Sequence, residues 1–350
     1  MINIILGFPF NLLPGIILTI LFFRINSISI TAVLSTGMLF AGYYLPVNIS
    51  LIFWSPGGMA TIISSSFAIY ALYYISPRFL TSNLPDLPNR NMLRAKLSNV
   101  TSLEERKILY INFVQSLSQA AGSVNRLVTS VNTWFLLLIL VSSFIINYSV
   151  FYFGFIENGL FKEIFSEIYS QIMVEPTTSL KETENDLYQL VIQYSAFFTF
   201  LQISTVFFII SFFYNKIAII KNQKRTILGH PGFFRIPDYF ILLFIVFAMG
   251  LAYIYFKKID LFWIPIYENI FFILCTLYIY QALSTLWLYF YVRMLPFGQI
   301  AFVIIILGMI FPFITGALLL SLLIIGLLEF RFEFRKKALQ PDLTIKDTDN

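Results

Sequence analysis

Long uncharged segments alternate with short charged ones along most of the chain. The longest, Ile300–Leu328, has no ionisable side chain and is followed by the charged segment Glu329–Lys337. The segment before it, Trp263–Tyr291, is apolar except for a few positions such as Glu268 and Gln281. One crossing of a bilayer takes about 20 apolar residues, and a backbone in hydrocarbon must satisfy its own hydrogen bonds. The pattern therefore predicts an all-α, polytopic integral membrane protein.

Six further apolar segments precede these two, and each is long enough for a span. They are Ile2–Phe23, Ile28–Leu45, Ser50–Ile75, Trp134–Phe155, Tyr188–Tyr214 and Tyr239–Phe256. Basic residues favour the cytoplasmic side of a membrane. With Pro77–Val131 placed inside, nearly all of the 23 basic residues fall inside as well. The exceptions are Lys162, Lys181, Lys257 and Lys258.

The final apolar run allows two interpretations. Its C-terminal basic residues lie inside only if Ile300–Leu328 crosses twice, with Phe311–Gly316 as the hairpin turn. Two full crossings need about 40 residues, so the hairpin would be thin. We let charge decide and predict about nine transmembrane helices, an outside N-terminus and a cytoplasmic C-terminus. Eight spans with one long, tilted final helix is the alternative.

Polar segments divide the chain into four parts. We expect an N-terminal three-span bundle over 1–76 and a cytoplasmic loop with an amphipathic helix over 77–131. The C-terminal membrane domain covers 132–337 and includes an acidic external segment at 157–187. Residues 338–350 are expected to form a disordered tail.

The cytoplasmic helix is predicted to begin at the capping box Ser102-Leu-Glu-Glu105. Apolar residues then recur at steps of three and four, which places a narrow apolar stripe on one face. The stripe consists of Leu109, Phe113, Leu117, Ala120, Val124 and Val128. It could pack against the protein's own cytoplasmic face, against lipid headgroups or against another subunit.

Composition supports the membrane assignment and excludes several kinds of site. The chain is 58% hydrophobic and 12% charged, well outside the range of soluble domains. Its net charge of +5 follows from the basic cytoplasmic loops, so no nucleic-acid partner is expected. Cys275 and His230 are the only residues of their types, which excludes an intrachain disulfide and a CxxC or CxxH pair for zinc. Without a phosphate-binding loop either, we expect no cofactor, no metal and no enzymatic activity.

Polar side chains inside the predicted spans are the candidate binding residues. Glu268 is the acid best placed to lie within a span, either as an interfacial residue or as a contact for a cation or a substrate. Asn269, Thr276, Tyr280 and Ser284 share one side of the same helix, and Gln281 flanks them. Such a stripe either bonds other helices or lines a cavity. With Gln202 and Asn147 it would suit a neutral or zwitterionic small molecule.

A basic rim is expected at the cytoplasmic surface, where it would contact anionic lipid. Docking of an acidic protein is the alternative. The rim consists of Lys224, Arg225, Arg331, Arg335, Lys336 and Lys337.

The C-terminal third resembles the YybS-like family of bacterial multi-pass membrane proteins. The resemblance rests on Phe234–Tyr239, the pair Glu268-Asn269, Tyr280-Gln-Ala282, and the run that ends in Leu328–Lys336. That family is similar in fold to the substrate-binding membrane subunits of energy-coupling-factor transporters. The resemblance implies a location in the bacterial cytoplasmic (inner) membrane. Together with the uncharged polar side chains on the predicted spans, it favours a role in binding a small molecule.

Two functions are therefore carried forward. The first is a small-molecule-binding membrane subunit, similar to the substrate-capturing part of a transporter. The second is a non-transporting membrane scaffold that recruits partners through its cytoplasmic helix and its acidic external segment.

Overall fold

A computed structural model describes residues 90–119, 234–258, 264–295 and 312–340, most positions between 186 and 204, and six isolated positions (17, 33, 34, 37, 141 and 145). All regular structure in these residues is helical. Three helices are long and apolar enough to cross a membrane, so the prediction of a helical membrane protein is confirmed at that level. Apart from the six isolated positions, the predicted spans before residue 156 lie outside the described residues, as do most of the fifth span and nearly all of the acidic segment.

Six helices have defined ranges. They are α1 (Arg90–Asn99), α2 (103–119), α3 (Phe240–Lys257), α4 (Ile264–Val292), α5 (Pro312–Phe332) and α6 (Phe334–Ala338). Helical positions also occur between 189 and 204, and we call this part the 189–204 segment.

The chain divides into two compact units. The first comprises Met1–Ile75, Trp134–Ser211 and Phe244–Leu274, and the second comprises Ser76–Thr133, Phe212–Leu243 and Cys275–Asn350. The cytoplasmic loop predicted over 77–131 therefore belongs to the same unit as the C-terminal helices.

In the first unit, α3 and α4 pack antiparallel through aromatic rings. The ring of Phe247 lies 4.5 Å from that of Tyr267, and the ring of Phe244 lies 5.5 Å from that of Phe271. Both helices match their predicted spans to within one residue at each end. A charged residue marks the end of each helix, Lys257 in α3 and Arg293 just after α4. These charges made the ends of both helices predictable from the sequence.

In the second unit, α5 runs parallel to the C-terminal half of α4. The backbone of Gly326 lies against the backbone of Tyr278. Further along both helices, Arg335 bonds Thr285 at 3.1 Å. Leu339 then packs on the cluster that contains Val292. Contacts thus advance toward the C-terminus along α4 and along residues 326–339 together, which makes the two segments parallel.

The hairpin turn predicted at Phe311–Gly316 is not found at that position. Residues 312–316 form the first turn of α5, which is helical from Pro312. Proline is well suited to the first helical position because the N–H that it lacks has no intrahelical partner there. A turn between two crossings would therefore have to come before Pro312.

The C-terminal end of α4 extends into a cluster made with α1 and α2. At about 1.5 Å per residue, the 29 residues of α4 span about 43 Å, whereas a bilayer core is about 30 Å thick. Leu288 and Val292 at its end are buried against the described residues of α1 and α2. The cluster comprises Leu93, Phe113, Val114, Leu117, Leu288 and Val292.

Two hydrogen bonds hold α1 and α2 to the end of α4. Arg94 donates to the Met294 carbonyl at 2.9 Å, and the Tyr110 hydroxyl donates to the Val292 carbonyl at 3.3 Å. Helix α2 begins at residue 103, as the capping box predicts. Its apolar stripe, as far as residue 119, is covered by the protein itself. That face is therefore occupied as far as residue 119, so a partner that binds the described part of α2 would contact its exposed side.

The start of the predicted tail is ordered. Ala338 is buried and Leu339 packs on the cluster of α1, α2 and α4. The boundary predicted at 338 is therefore too early by at least three residues. Residues 341–350 lie outside the described part of the chain.

Candidate functional site

A carboxylate is buried in the first unit, one turn inside α4. The Glu268 side chain is 4% exposed. Its Oε2 accepts hydrogen bonds from Gln193 Nε2 at 2.7 Å and from the Tyr194 hydroxyl at 3.0 Å, while its Oε1 accepts one from the Tyr255 hydroxyl. We call these four residues the Glu268 site.

Asn269, the next residue, positions two of these donors. Its Nδ2 donates to the Gln193 carbonyl at 2.7 Å, and its Oδ1 accepts from the Phe197 N–H at 2.8 Å. In a regular α-helix those two backbone groups would bond each other, because they are four residues apart. The Asn269 amide thus lies between them. This contact fixes the part of the 189–204 segment that presents Gln193 and Tyr194 to Glu268.

Tyr255 is the exposed member of the Glu268 site, at 60% exposure. Gln193 and Tyr194 are half-buried. Tyr255 is two residues from the end of α3 at Lys257, and Glu268 is four residues from the start of α4. The site therefore lies near one end of this helix pair rather than at its middle.

The donors that surround Glu268 are neutral. Among the described residues, no Lys or Arg forms an ion pair with it. A carboxylate inside a span costs about 2.5 kcal/mol or more, so it is usually shielded or paired. Three hydrogen bonds shield this one without neutralising it. The arrangement can accept a cationic group.

Gln281 is a second buried polar residue, in the second unit. Its Oε1 accepts from the Ile236 N–H at 2.8 Å, and its Nε2 donates to the Gly326 carbonyl at 3.0 Å. Ile236 precedes α3, and Gly326 lies in α5. The side chain therefore joins two other segments to α4 and is used for packing.

Arg335 turns inward in the same unit. Its guanidinium donates to the Thr285 hydroxyl at 3.1 Å, to the Gln281 carbonyl at 3.3 Å and to the Phe234 carbonyl, and it lies 3.7 Å from Glu329. Burial lowers the pKa of the Arg335 guanidinium to about 10, so it remains a cation at neutral pH.

The prediction that Arg335 belongs to an exposed basic rim is therefore wrong. The left-handed backbone of Glu333 (φ 46°) ends α5 and redirects the chain, so that Arg335 faces the interior. Arg331, Lys336 and Lys337 are exposed, as predicted. Lys224 and Arg225 lie outside the described residues.

The predicted polar stripe on α4 is largely buried. Thr276, Gln281 and Ser284 are each less than a tenth exposed. Tyr280 is half-buried, with its ring 6.4 Å from that of Phe234. Of the predicted binding residues that the structure describes, Glu268 belongs to the Glu268 site and Asn269 positions two of its donors. Asn147 and Gln202 lie outside the described residues, and whether the stripe binds a ligand stays a prediction.

Sequence reasoning missed three members of the Glu268 site. Gln193 and Tyr194 are about 75 residues from Glu268 along the chain, and nothing in the local pattern connects them. The pair does stand out as polar at the start of an apolar segment. Tyr255 gave no signal, because a tyrosine near a helix end reads equally well as an interfacial anchor.

No protein-family model matches the chain, and neither a curated protein nor a solved structure matches it significantly. The resemblance to the YybS-like family therefore stays a prediction.

Proposed function

We propose that the protein is a small-molecule-binding subunit of the bacterial inner membrane whose ligand carries a cationic group that binds Glu268. The observation that supports this proposal is the buried carboxylate with three neutral donors. A carboxylate kept inside a span with no basic partner among the described residues is better explained by a ligand than by packing, since an amide or a hydroxyl could satisfy the same donors at lower cost.

Binding would replace hydrogen bonds that Glu268 now accepts from tyrosine hydroxyls with contacts to the ligand. The Tyr255 and Tyr194 hydroxyls each have acceptor capacity, so they can rotate to contact an ammonium group while Glu268 neutralises it. Entry past the exposed ring of Tyr255 needs only a side-chain rotation. Burial of the ion pair away from water would then strengthen it.

A thermal-shift screen of the purified protein tests this function. The library should contain amino acids, vitamins and amines, each amine paired with a neutral isostere. We expect at least one amine to stabilise the wild type and its isostere to do so much less. Glu268→Gln should abolish the shift, whereas Glu333→Gln, which removes an exposed carboxylate, should retain it. No stabilisation by any compound, or full binding by Glu268→Gln, would contradict the proposal.

We further propose nine spans with a cytoplasmic C-terminus. The parallel direction of α4 and α5 supports this count. If both helices cross the bilayer in the same sense, the 16 residues from 296 to 311 must return the chain to the opposite side. A helix of sixteen residues would cover about 24 Å, which is short for a span but sufficient where the bilayer thins.

The orientation has separate support from the basic segments. The described residues of 77–131, the turn at Arg293, the Phe234–Ile236 stretch and the C-terminal segment all belong to the second unit. These are the segments that charge assigns to the cytoplasm.

A further inference from the structure

A group of exposed basic and aromatic side chains lies where α5 ends. Arg331, Lys336 and Lys337 are exposed, and we call these three residues the basic patch. Phe330 and Phe332 beside them are 47% and 45% exposed. The Lys337 ammonium lies 5.6 Å from the centre of the Phe332 ring.

The segment that carries the patch is anchored from within. Arg335 bonds Thr285 and the carbonyl of Phe234, Ala338 is buried, and Leu339 packs on the cluster of α1, α2 and α4. Because Arg335, Ala338 and Leu339 face the protein, Lys336 and Lys337 between them are held outward. The patch is therefore fixed in place, unlike a charge run on a loose tail.

The position of the basic patch at the end of a candidate span indicates that lipid headgroups surround it. Helix α5 is a candidate span that ends at Phe332, so the residues around this end lie at the depth of the lipid headgroups. The exposed side chains comprise three cations and one anion, Glu333, which pairs with Lys336 at 3.1 Å. The patch keeps a net charge of +2, and its exposed phenylalanines suit the boundary between headgroups and acyl chains.

We propose that the basic patch binds the phosphate of an anionic phospholipid, with Phe330 and Phe332 against the acyl chains. The Lys336–Glu333 pair is exposed and weak, so a phosphate can replace Glu333 as the partner of Lys336. The adjoining apolar rings distinguish a lipid from a free anion, which gains nothing from them. The chemistry favours a lipid over an acidic protein, because the patch lies at headgroup depth.

Lipid retention by the whole protein tests the proposal. The protein is reconstituted in nanodiscs with equal amounts of phosphatidylglycerol and phosphatidylcholine, and native mass spectrometry counts the lipids that remain bound. The test variant is Arg331→Gln/Lys336→Gln/Lys337→Gln. The control is Lys257→Gln/Lys258→Gln, which removes two exposed lysines from the end of α3. Gel filtration and circular dichroism verify that both variants fold.

We expect wild type and control to retain phosphatidylglycerol preferentially, and the test variant to lose that preference. Each removed charge should weaken it about fivefold, since a basic side chain near an anionic surface contributes about 1 kcal/mol. The conservative variant Lys336→Arg/Lys337→Arg should retain it. An unchanged preference in the test variant overturns the proposal. Equal competition by inorganic phosphate would identify a free-anion site instead, and loss of a bound acidic protein with lipid retention intact would identify a protein interface.

Discussion

Gly326 lies directly against the backbone of Tyr278. A methyl group added to Gly326 would approach the Tyr278 carbonyl carbon to 2.8 Å and its Cα to 3.3 Å. Neither atom can move without shifting α4 itself. Close approach of two helix backbones at glycine is a frequent device in membranes, where helices associate through packing rather than through the hydrophobic effect. The parallel contact of α4 and α5 thus depends on one missing side chain.

Gly326→Ala should therefore destabilise the protein by about 1–3 kcal/mol, the usual cost of overpacking. Gly316→Ala in the same helix is the matched control, because nothing lies within 4 Å of its added methyl group. It should be neutral or slightly stabilising, since alanine favours helix. Thermal unfolding in detergent measures both variants. Equal melting temperatures for the two would contradict the close packing.

Removal of one hydroxyl tests the Glu268 site without changing a charge. Tyr255→Phe deletes the hydrogen bond to Glu268 and should cost about 1.5 kcal/mol, as expected for a bond to a charged acceptor. Tyr253→Phe is the control on the same helix, where the side chain is 59% exposed, compared with 60% for Tyr255. We expect no measurable change from it in a thermal unfolding series. A loss from Tyr253→Phe as large as that from Tyr255→Phe would mean that lipid contacts, not Glu268, account for the effect.

The inward arginine can be tested as one half of a buried pair. Arg335→Gln leaves Glu329 buried without its cation and should cost about 3–5 kcal/mol. The double variant Glu329→Gln/Arg335→Gln should recover part of that loss, because no buried charge remains. Lys336→Gln, at a side chain that is 74% exposed, should change stability by less than about 0.5 kcal/mol. A full double-mutant cycle that shows no coupling would refute the pair.

Cysteine labelling in whole cells tests the nine-span topology. In a Cys275→Ser background, a cysteine at Thr315 should react with a membrane-impermeant maleimide added outside. A cysteine at Gln340, which is exposed at the other end of this region, should react only after the cells are opened. Protection of Thr315 together with outside labelling of Gln340 would support eight spans instead.

The cluster of α1, α2 and α4 predicts which face of α2 matters for stability. Phe113→Ala should cost about 3–5 kcal/mol, because Phe113 is 5% exposed and its ring lies 6.0 Å from that of Tyr291. Ile108→Ala on the same helix is the control, since Ile108 is 57% exposed. Denaturant unfolding followed by circular dichroism would separate them. If Ile108→Ala proved the more damaging, the exposed side of α2 would be the one in contact.

Helix bounds were predictable from the sequence because the bilayer fixes a length and charges mark its ends. Lys257 and Arg293 delimit α3 and α4 to within one residue of the expected spans. The direction of Arg335 was not predictable, since Arg331, Arg335 and Lys336 look alike in a basic run. Only the backbone at Glu333 separates them, and glutamate gives little sign of a left-handed conformation.

The candidate site was half predictable. Glu268 stands out because an ionisable group is rare inside a span. Its partners do not, because hydrogen bonds between helices join residues of unrelated sequence position. The Asn269 amide illustrates the same limit: its spacing indicated a polar face, but its place between the Gln193 carbonyl and the Phe197 N–H depends on how two helices meet.

The Gln281 side chain forms hydrogen bonds with two main-chain groups at once, and this limits which residue types can occupy the position. Glutamate would keep the acceptor for Ile236 but would set a carboxylate against the Gly326 carbonyl. Asparagine is shorter by one methylene, and leucine or methionine offers neither function. Each of these substitutions of Gln281 thus loses the hydrogen bond to Ile236, the one to Gly326, or both. Drift at this position would require a simultaneous change in a neighbouring segment.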